Sequence, residues 1–574
     1  MNDIVDNLPN IYAQEKDLSS TKKKKLYCTC SNVDFHKVRA SFGIALHMHQ
    51  PTIPAGGGDL SRASLVSNLQ NMFENQGIGD NHNAGVFFDC YQRLSRIIPD
   101  LVKRGKSPRI MLDYSGNLLW GLRQINGGQA LENLKKITCD KFYYPYVEWL
   151  GTMWSHSVVT STPVPDIKLH ILAFRQHFES IFGKEAQERI KGFSAPEMHL
   201  PIHPDVCYEY VKALKECGYE WLMVQEHTIE HLNGHGITNP HFPHKLVAQN
   251  SLGQTQEITV LIKTQGSDTK LVAQMQPLSE ARGLFRQEYC GKLIPPFVCQ
   301  IGDGENGGVM MNEFPPMYTQ SIESIGTEGT VALNGSEYLE FLQQDGIDPD
   351  DFTPVQPISQ HRIWEKVKKF EPQAVNKAIQ ELQKADSSFN LDKGSWTSDR
   401  NWVKGYDQVL DPINQLSASF HEKFDQKNAD KNSRSYKEAL LYLLLSQTSC
   451  FRYWGQGVWT DYAKELCRRG MEAINGKTFV PESIAKFARV FQRQPKAAAK
   501  GADVPKTEIP SKPVVMPTEA LKFSDKDLLH IPEVIQEIER HKWFESERAG
   551  RDVGIEWARE DWLKKYAKDW KQNH

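Results

Sequence analysis

Three absences narrow what this chain does. No apolar run approaches the ~20 residues of a membrane-spanning helix, and no signal-peptide core follows Met1. The net charge is only −3 over 574 residues, which argues against general binding to nucleic acids or anionic membranes. We therefore expect a globular cytoplasmic protein with no nucleic-acid or membrane partner.

Closely spaced cysteines are also scarce. Only Cys28 and Cys30 among the ten cysteines stand near each other, and no second pair completes a zinc site. This scatter predicts reduced thiols. The chain is instead rich in aromatic residues, with 13 Trp and 19 Tyr. Aromatic faces stack on the apolar faces of sugar rings, although most such residues are simply core.

Length and local composition predict several domains. Residues 1–38 form a polar tail that we expect to be mobile, followed by an α/β domain over 39–370 and a helical domain over 371–493. Residues 494–518 are rich in Pro, Ala and Lys and predict a linker. A small helical module over 519–574 completes the chain, and we expect it to contact another protein.

Short apolar runs alternate with helical patterns in the α/β domain. The predicted strands cover 42–46, 109–113, 146–150, the run that ends at Glu197, 219–224, 258–262 and 296–301. This alternation is typical of βαβ units and predicts a mostly parallel sheet, open or closed into a barrel. In a barrel the strand ends converge on one mouth.

Polar candidates follow several of these strands. Glu197 stands directly after Pro196, where a strand ends because Pro lacks an N–H group. His47 and His49 follow the first strand, and alternation along an extended chain points both to the same side. Alone, a carboxylate such as Glu197 is more often a solvated loop residue.

A second carboxylate motif follows the last predicted strand. Asp303 and Glu305 lie among four glycines, which permit tight turns and a close approach of a ligand to the backbone. An Asp-Gly turn explains this motif equally well when it stands alone. Paired with Glu197 at one sheet edge, however, it matches the two carboxylates that glycoside cleavage requires, expected roughly 5–7 Å apart.

Taken in order, the motifs resemble glycoside hydrolase family 57. They are His47-Met-His-Gln-Pro51, Ser115-Gly-Asn-Leu-Leu119, Val147–His156, Gly192–Glu197, Asp303-Gly-Glu305 and Leu443–Trp454, and they span roughly residues 42–460. The family contains α-amylases, 4-α-glucanotransferases, amylopullulanases and α-glucan branching enzymes. The resemblance implies a retaining hydrolase or transglycosylase acting on α-1,4-linked glucans such as starch, glycogen or maltodextrin.

The resemblance also implies a fold and a site. The fold is an incomplete (β/α)7 barrel of the glycoside hydrolase/deacetylase type, followed by an α-helical domain on its mouth and a small C-terminal helical appendage. Glu197 matches the nucleophile and Asp303 the acid/base, with neither metal nor cofactor. The positions expected to bind substrate are His47, His49, Gln50, Trp154, His156, Glu305, Trp396 and Trp454.

This sequence departs from the family pattern at two places. Ser194-Ala195 precedes Pro196-Glu197 where many members have a bulkier pair, and Ser449-Cys450 stands where members often have Ser-Asp. Both changes alter the walls of the cleft without removing a catalytic carboxylate. They leave open the chain-length preference and the balance between hydrolysis and transfer.

Two alternatives stay open. A metal-dependent deacetylase or α-mannosidase-like enzyme would use His47 and His49 with Asp113 or Asp303 as ligands. A catalytically silent glucan-binding or scaffold protein would use the C-terminal module as an interaction arm.

Overall fold

The computed structural model divides the chain into two units, residues 1–496 and 497–574. It describes residues 4–5, 8–12, 25–55, 59–264, 272–305, 307–392, 407–453, 457–477, 534, 538, 541 and 554–573. No helix in these ranges is long and apolar enough to cross a membrane.

Seven parallel strands form the frame of the first unit. In chain order they are β1 (Val38–Met48), β2 (Ile110–Tyr114), β3 (Val147–Trp149), β4 (Gly192–Ser194), β5 (Trp221–Gln225), β6 (Thr255–Lys263) and β7 (Phe297–Asp303). β7, β1, β2 and β3 pair in that order, and so do β4, β5 and β6. Because all seven strands are parallel, their carboxyl ends lie at the same edge, as the sequence predicts.

Two narrow joints close these strands into a ring. Among the described residues, β6 and β7 are paired only at Lys263 and Cys299. β3 and β4 are joined through Gly151, whose N–H donates to the carbonyl of Gly192 at 2.9 Å and whose carbonyl accepts from the N–H of Ser194 at 2.8 Å. The ring therefore consists of two well-paired arcs, β7-β1-β2-β3 and β4-β5-β6.

Shorter strands extend the frame into a mixed sheet. Those in the same sheet are Ile229–His231, His244–Gln249, Gly329–Ala332 and Pro354–Pro357. Separate two-stranded pairs are Ile4–Val5 with Leu8–Pro9, Thr52–Ala55 with Ser64–Ser67, and Gln287–Tyr289 with Lys292–Ile294. None of these strands is predicted from the sequence, because their apolar runs are too short to stand out from turns.

Helices connect and cover the strands. Up to residue 370 they are Tyr27–Cys30, Asn68–Glu74, Ala84–Gln92, Leu94–Lys103, Gly116–Gln124, Gln129–Cys139, Val164–Phe182, Lys184–Glu188, Pro204–Glu216, Gln276–Arg282, Gly307–Glu323, Gly335–Gln344 and Gln360–Lys366. The following region contains Pro372–Ala385, Asp407–Phe424, Arg434–Ser446, Ser449–Tyr453 and Val458–Ile474. In the second unit the described helix is Ile555–Asn573. The bounds predicted for the domains stay predictions.

Alternation along the strands separates the two sides of the ring. Ile44 and Leu46 of β1 belong to the larger apolar cluster, together with many helix residues. Ala45 belongs to a second cluster with residues of β2, β5, β6 and β7. Successive side chains of a strand point to opposite faces, so this second cluster fills the interior of the ring. His47 continues the inward series of Ala45 at the carboxyl end.

Parts of the predicted N-terminal tail are packed against the first unit, which corrects the expectation of a mobile segment. Leu8 is 1% exposed and belongs to the larger cluster. Tyr27 is buried, and its hydroxyl donates to the carbonyl of Arg189 at 3.2 Å. Phe35 stacks on Phe341 with ring centroids 4.8 Å apart. These apolar residues follow no helical or strand period, so no pattern predicts their burial.

Candidate active site

Three histidine rings form a stack at the carboxyl ends of the ring strands. The ring of His156 lies between those of His47 and His49, at centroid distances of 4.3 and 4.4 Å and interplanar angles of 26° and 20°. His47 and His49 stand at the end of β1, and His156 belongs to the segment after β3. We call these three residues the histidine stack.

Asp113, at the end of β2, anchors one side of the histidine stack. Its Oδ2 lies 2.9 Å from Nδ1 of His47, and the two residues are neighbours in the register of β1 and β2. Burial alone would lower the pKa of His47, but Asp113 above all, then Asp303 and Glu305, raise it to about 9. His47 is therefore a cation at neutral pH.

Hydroxyl groups hold the other two histidines. Nδ1 of His49 lies 2.7 Å from Oγ of Ser115, and its Nε2 lies 3.0 Å from Oγ1 of Thr448. Nδ1 of His156 lies 2.7 Å from Oγ of Ser449. Burial, and then the neighbouring imidazolium, lower the pKa of both rings well below the usual value. Both rings are therefore neutral at pH 7.

Residues 447–449 bring the helical region to the histidine stack. Besides its side-chain contact, Ser449 donates its backbone N–H to the carbonyl of His156 at 3.0 Å. Thr448 forms an isolated antiparallel bridge with Ser157. The side-chain amide of Gln447 donates to Oδ2 of Asp166 at 2.6 Å. These contacts fasten the helical region to the carboxyl end of the ring.

Glu197 reaches the histidine stack from a strained turn after β4. Glu197 and Met198 have positive φ angles of 58° and 52°. Such conformations cost about 1–3 kcal/mol per non-glycine residue and cluster at functional sites. Oε1 of Glu197 lies 3.8 Å from Nδ1 of His156, and the Glu197 side chain is 17% exposed. The turn thus presents a partly solvated carboxylate beside the stack.

Asp303 and Glu305 approach the histidine stack from the end of β7, in the arc opposite the one that carries Glu197. Asp303 ends β7 and is paired in register with His47. Its Oδ1 accepts the backbone N–H of Glu305 at 2.9 Å. Oε1 of Glu305 accepts the backbone N–H of His49 at 2.6 Å. Burial, and then the charge of Asp303, raise the pKa of Glu305 well above its usual range, which favours its protonated form.

The structure brings most, but not all, of the predicted residues to this place. Gln50 is buried, and its Oε1 accepts a hydrogen bond from Nδ2 of Asn68 at 2.9 Å. Trp154 is 0% exposed and donates its indole N–H to Nδ1 of His177 at 3.0 Å. Its ring is therefore core, which corrects the prediction that Trp154 faces the glucan.

Two predicted aromatic residues, Trp396 and Trp454, lie outside the described residues. Their roles as platforms for the substrate stay predictions.

Several residues that contact the histidine stack are not predicted from the sequence to belong to the glucan site. Asp113 ends a predicted strand, just as His47 follows one, so its strand-end position was an available signal. Ser115 likewise begins the motif after β2. Thr448 and Ser449 carried no comparable signal, because their contacts depend on how the helical region packs.

Three of the four ring nitrogens of His47 and His49 face other side chains. Nδ1 of His47 faces Asp113, and both ring nitrogens of His49 face hydroxyl groups. In the part of the chain that the structure describes, no group of three or more His, Cys, Asp or Glu residues is arranged to hold a metal ion.

Several solved structures are weakly similar to this chain, whereas no curated protein matches the sequence significantly. The 4-α-glucanotransferase of Thermococcus litoralis is 16% identical with a TM-score of 0.47, and the match covers 76% of this chain and 59% of that chain. A GH57-type branching enzyme from Pyrococcus horikoshii is 13% identical with a TM-score of 0.46, covering 79% and 95%. An α-amylase from Thermotoga maritima is 10% identical with a TM-score of 0.46, covering 80% and 98%.

A family model matches the sequence itself. The model is described as Glycosyl hydrolase family 57, and the match covers residues 43–286. This range includes Glu197 and the whole histidine stack, and it ends before Asp303. Over residues 43–286, this match confirms the resemblance to glycosyl hydrolase family 57 that the motifs predict.

Proposed function

We propose that this protein is a retaining hydrolase or transglycosylase acting on α-1,4-linked glucans, with Glu197 as the nucleophile and Asp303 as the acid/base. One observation carries the proposal: both carboxylates adjoin the histidine stack, Glu197 beside His156 and Asp303 beside His47. Carboxylates from different strand ends that converge on one place are what glycoside cleavage requires. The family match and the order of the motifs support a glucan as the substrate class.

A specific architecture belongs to this proposal. The ring of seven parallel strands is the incomplete (β/α)7 barrel, and the helical domain over 371–493 completes the cleft at its mouth. The contacts of residues 447–449 with the histidine stack support this arrangement. The C-terminal module is the appendage.

Each carboxylate has one task in the first half of the reaction. Glu197 attacks the anomeric carbon while Asp303 donates its proton to the glycosidic oxygen, so that bond breaks and a glycosyl ester of Glu197 forms. In the second half, water or a sugar hydroxyl loses a proton to Asp303 and displaces Glu197. Two inversions at the anomeric carbon restore the α configuration.

The histidines divide the remaining tasks. Nε2 of His156 is buried and has no hydrogen-bond partner among the described residues, so a sugar hydroxyl can take that place. The cationic ring of His47 stabilises the carboxylate that Asp303 becomes when it gives up its proton. Both ring nitrogens of His49 already face hydroxyls. His49 therefore supports the stack, which revises the expectation that it donates to the sugar.

Cys450 marks where this site departs from its relatives. Burial chiefly raises the pKa of the Cys450 thiol, and the charges of Glu197 and Glu305 act in the same direction. A neutral thiol thus stands near the nucleophile, where family members often have a carboxylate. We expect a weaker polar contact with the substrate at this position.

The first experiment is incubation with maltoheptaose and separation of the products by length. Shorter products alone mean hydrolysis, longer chains mean α-1,4 transfer, and new α-1,6 branch points mean branching. Binding without any product would favour the silent glucan-binding protein.

The second experiment assigns the two carboxylates with an activated aryl α-glucoside. Asp303→Ala should still release the aryl group in a burst, because a good leaving group needs no proton, whereas glucan cleavage collapses. Glu197→Ala should lose both reactions, since no glycosyl ester can form. Added azide should give the α-glycosyl azide with Asp303→Ala and the β-glycosyl azide with Glu197→Ala.

A control carboxylate keeps this test specific. Glu188 is exposed and precedes β4, at the end of the ring away from the histidine stack. Glu188→Ala should therefore behave like the unmodified protein. The reverse azide products would mean that the nucleophile and acid are exchanged.

A contact with another protein is proposed for the C-terminal module. The support is that Trp557 of the helix Ile555–Asn573 is 43% exposed, although it stacks on His541 at 6.3 Å. If Trp557 is a contact residue, a partner captured by the full chain should be lost with Trp557→Ala, while catalysis by the first unit should not change.

A further inference from the structure

The histidine stack holds three ionisable rings too close together for more than one of them to be charged readily. His156 lies 4.3 Å from one neighbour and 4.4 Å from the other, centroid to centroid. Like charges at such distances disfavour each other strongly. The surroundings of the three rings therefore determine which imidazole is protonated.

The hydrogen-bonding partners of the three rings favour protonation of one of them. His49 and His156 face only hydroxyl oxygens through their short contacts, with Ser115, Thr448 and Ser449. Hydroxyls are neutral and do little to stabilise a cation. Among the described residues, His47 is the one member of the stack with a carboxylate at hydrogen-bond distance, Oδ2 of Asp113 at 2.9 Å.

Ionisable groups face His47 from several of the elements packed on β1. Asp113 faces it from β2, Asp303 and Glu305 from the end of β7, and His156 from the segment after β3. The strand Gly329–Ala332 contains no ionisable residue. The helix Gln276–Arg282 contributes Glu280, which is bonded to His241 at 2.7 Å, and Arg282.

Asp113 differs from a carboxylate whose role is only structural. Glu230 is also buried and also faces a histidine, His361, at 2.9 Å, and both of its oxygens accept further hydrogen bonds. Oδ1 of Asp113, by contrast, is buried without a hydrogen-bond partner among the described residues. An unsatisfied buried oxygen is costly and calls for an explanation beyond packing.

We infer that Asp113 is a positioning residue that holds the single positive charge of the histidine stack on His47, where it faces Asp303. This inference rests on the proposed function, because it assigns the charge to the partner of the acid/base. The cation favours the ionised form of Asp303 and so eases the transfer of its proton to the glycosidic oxygen. Without Asp113, His47 would lose its proton at a lower pH, and Asp303 would then hold its own proton to a higher pH.

The experiment compares the full-length protein with Asp113→Asn, using histidine labelled with ¹³C at Cε1 and His47→Gln to assign the signal. In the unmodified protein His47 should stay protonated up to about pH 9, in line with the pKa given above. In Asp113→Asn it should lose its proton about two pH units lower. In parallel, the alkaline limb of kcat/KM on maltoheptaose should move up by about one pH unit.

Two further variants separate positioning from folding. Asp113→Glu retains the carboxylate and should restore the protonation of His47 at least in part. Glu230→Gln removes a buried carboxylate–imidazole pair elsewhere and should shift neither the His47 signal nor the alkaline limb. A His47 that remains protonated at pH 8 in Asp113→Asn would overturn the inference, and so would lower activity with an unmoved alkaline limb.

The two proposals fail in distinguishable ways. The protonation of His47 is read by NMR whether or not a glucan is turned over. An unmodified protein inactive on maltoheptaose would contradict the proposed function and leave the NMR result to decide the role of Asp113.

Discussion

His156 shows how much a single residue of this site depends on the helical region. Its φ angle of 61° is rare for a residue with a side chain. Ser449 opposes that strain twice, by donating its backbone N–H to the carbonyl of His156 and by placing its hydroxyl 2.7 Å from Nδ1. The orientation of the unpartnered Nε2 therefore depends on Ser449.

Ser449→Ala tests this dependence. The variant leaves a buried imidazole without its hydroxyl partner, at a cost of about 1–2 kcal/mol, and we expect kcat/KM on maltoheptaose to fall about tenfold. Ser446→Ala is the matched control, because Ser446 is also buried, three residues before Ser449, and its hydroxyl donates to the carbonyl of Leu443 at 2.8 Å. Equal activities of the two variants would contradict a role for Ser449.

At the scale of elements, the helix Val164–Phe182 makes the fold sensitive to acid. Burial lowers the pKa of His170 to about 4 and that of His177 to about 3. In the unfolded chain both residues take up a proton below about pH 6.5. Their full contribution to stability is thus present above that pH and is lost as the pH falls towards the folded values, at about 1.4 kcal/mol per pH unit for each histidine.

His177→Gln should reduce this acid sensitivity. Its side-chain oxygen can still accept the indole N–H of Trp154, but the proton uptake of residue 177 disappears. We expect the melting temperature to fall less between pH 6.5 and 4.5 than in the unmodified protein. His36→Gln removes a histidine whose side chain is 80% exposed and should leave the pH dependence unchanged. Parallel curves for all three proteins would refute the assignment.

The strands and their ends are the features that the sequence predicts best. All seven ring strands were predicted, because each contains a short apolar run between turn residues, although β1 (Val38–Met48) is longer than the predicted 42–46. Glu197, His47 and Asp303 followed from strand ends that parallel pairing brings together. The contact between His49 and Thr448 joins residues 399 positions apart and has no local pattern. Such contacts depend on tertiary packing, as does the burial of Trp154.

At the scale of the whole molecule, the two narrow joints of the ring matter most. Asp303, His47 and His156 belong to the arc β7-β1-β2-β3 or follow it directly, whereas Glu197 follows β4 of the other arc. The separation of the two carboxylates is therefore a property of how the arcs meet. Gly151 carries both backbone hydrogen bonds of one joint.

Gly151→Ala should disturb that separation from a distance. A Cβ atom at residue 151 would overlap the ring of Tyr219, and such overpacking costs about 1–3 kcal/mol. We expect a lower melting temperature and at least about a tenfold loss of kcat, since misplacement of reacting groups is costly. Gly236→Ala adds a methyl group where nothing lies within 4 Å and is the control. An unaltered kcat in Gly151→Ala would show that the joint tolerates the change.

A ring with two sparsely hydrogen-bonded joints can open locally without global unfolding. The amide protons of Gly151 and Ser194, which span one joint, should exchange with deuterated solvent faster than those between β1 and β7, where pairing runs unbroken from Ser41 and Phe297 to His47 and Asp303. Opening at the joint would widen the mouth beside Glu197 and give a long product a way out. Opening of the ring, as well as the chemical steps at its mouth, would then limit the turnover rate.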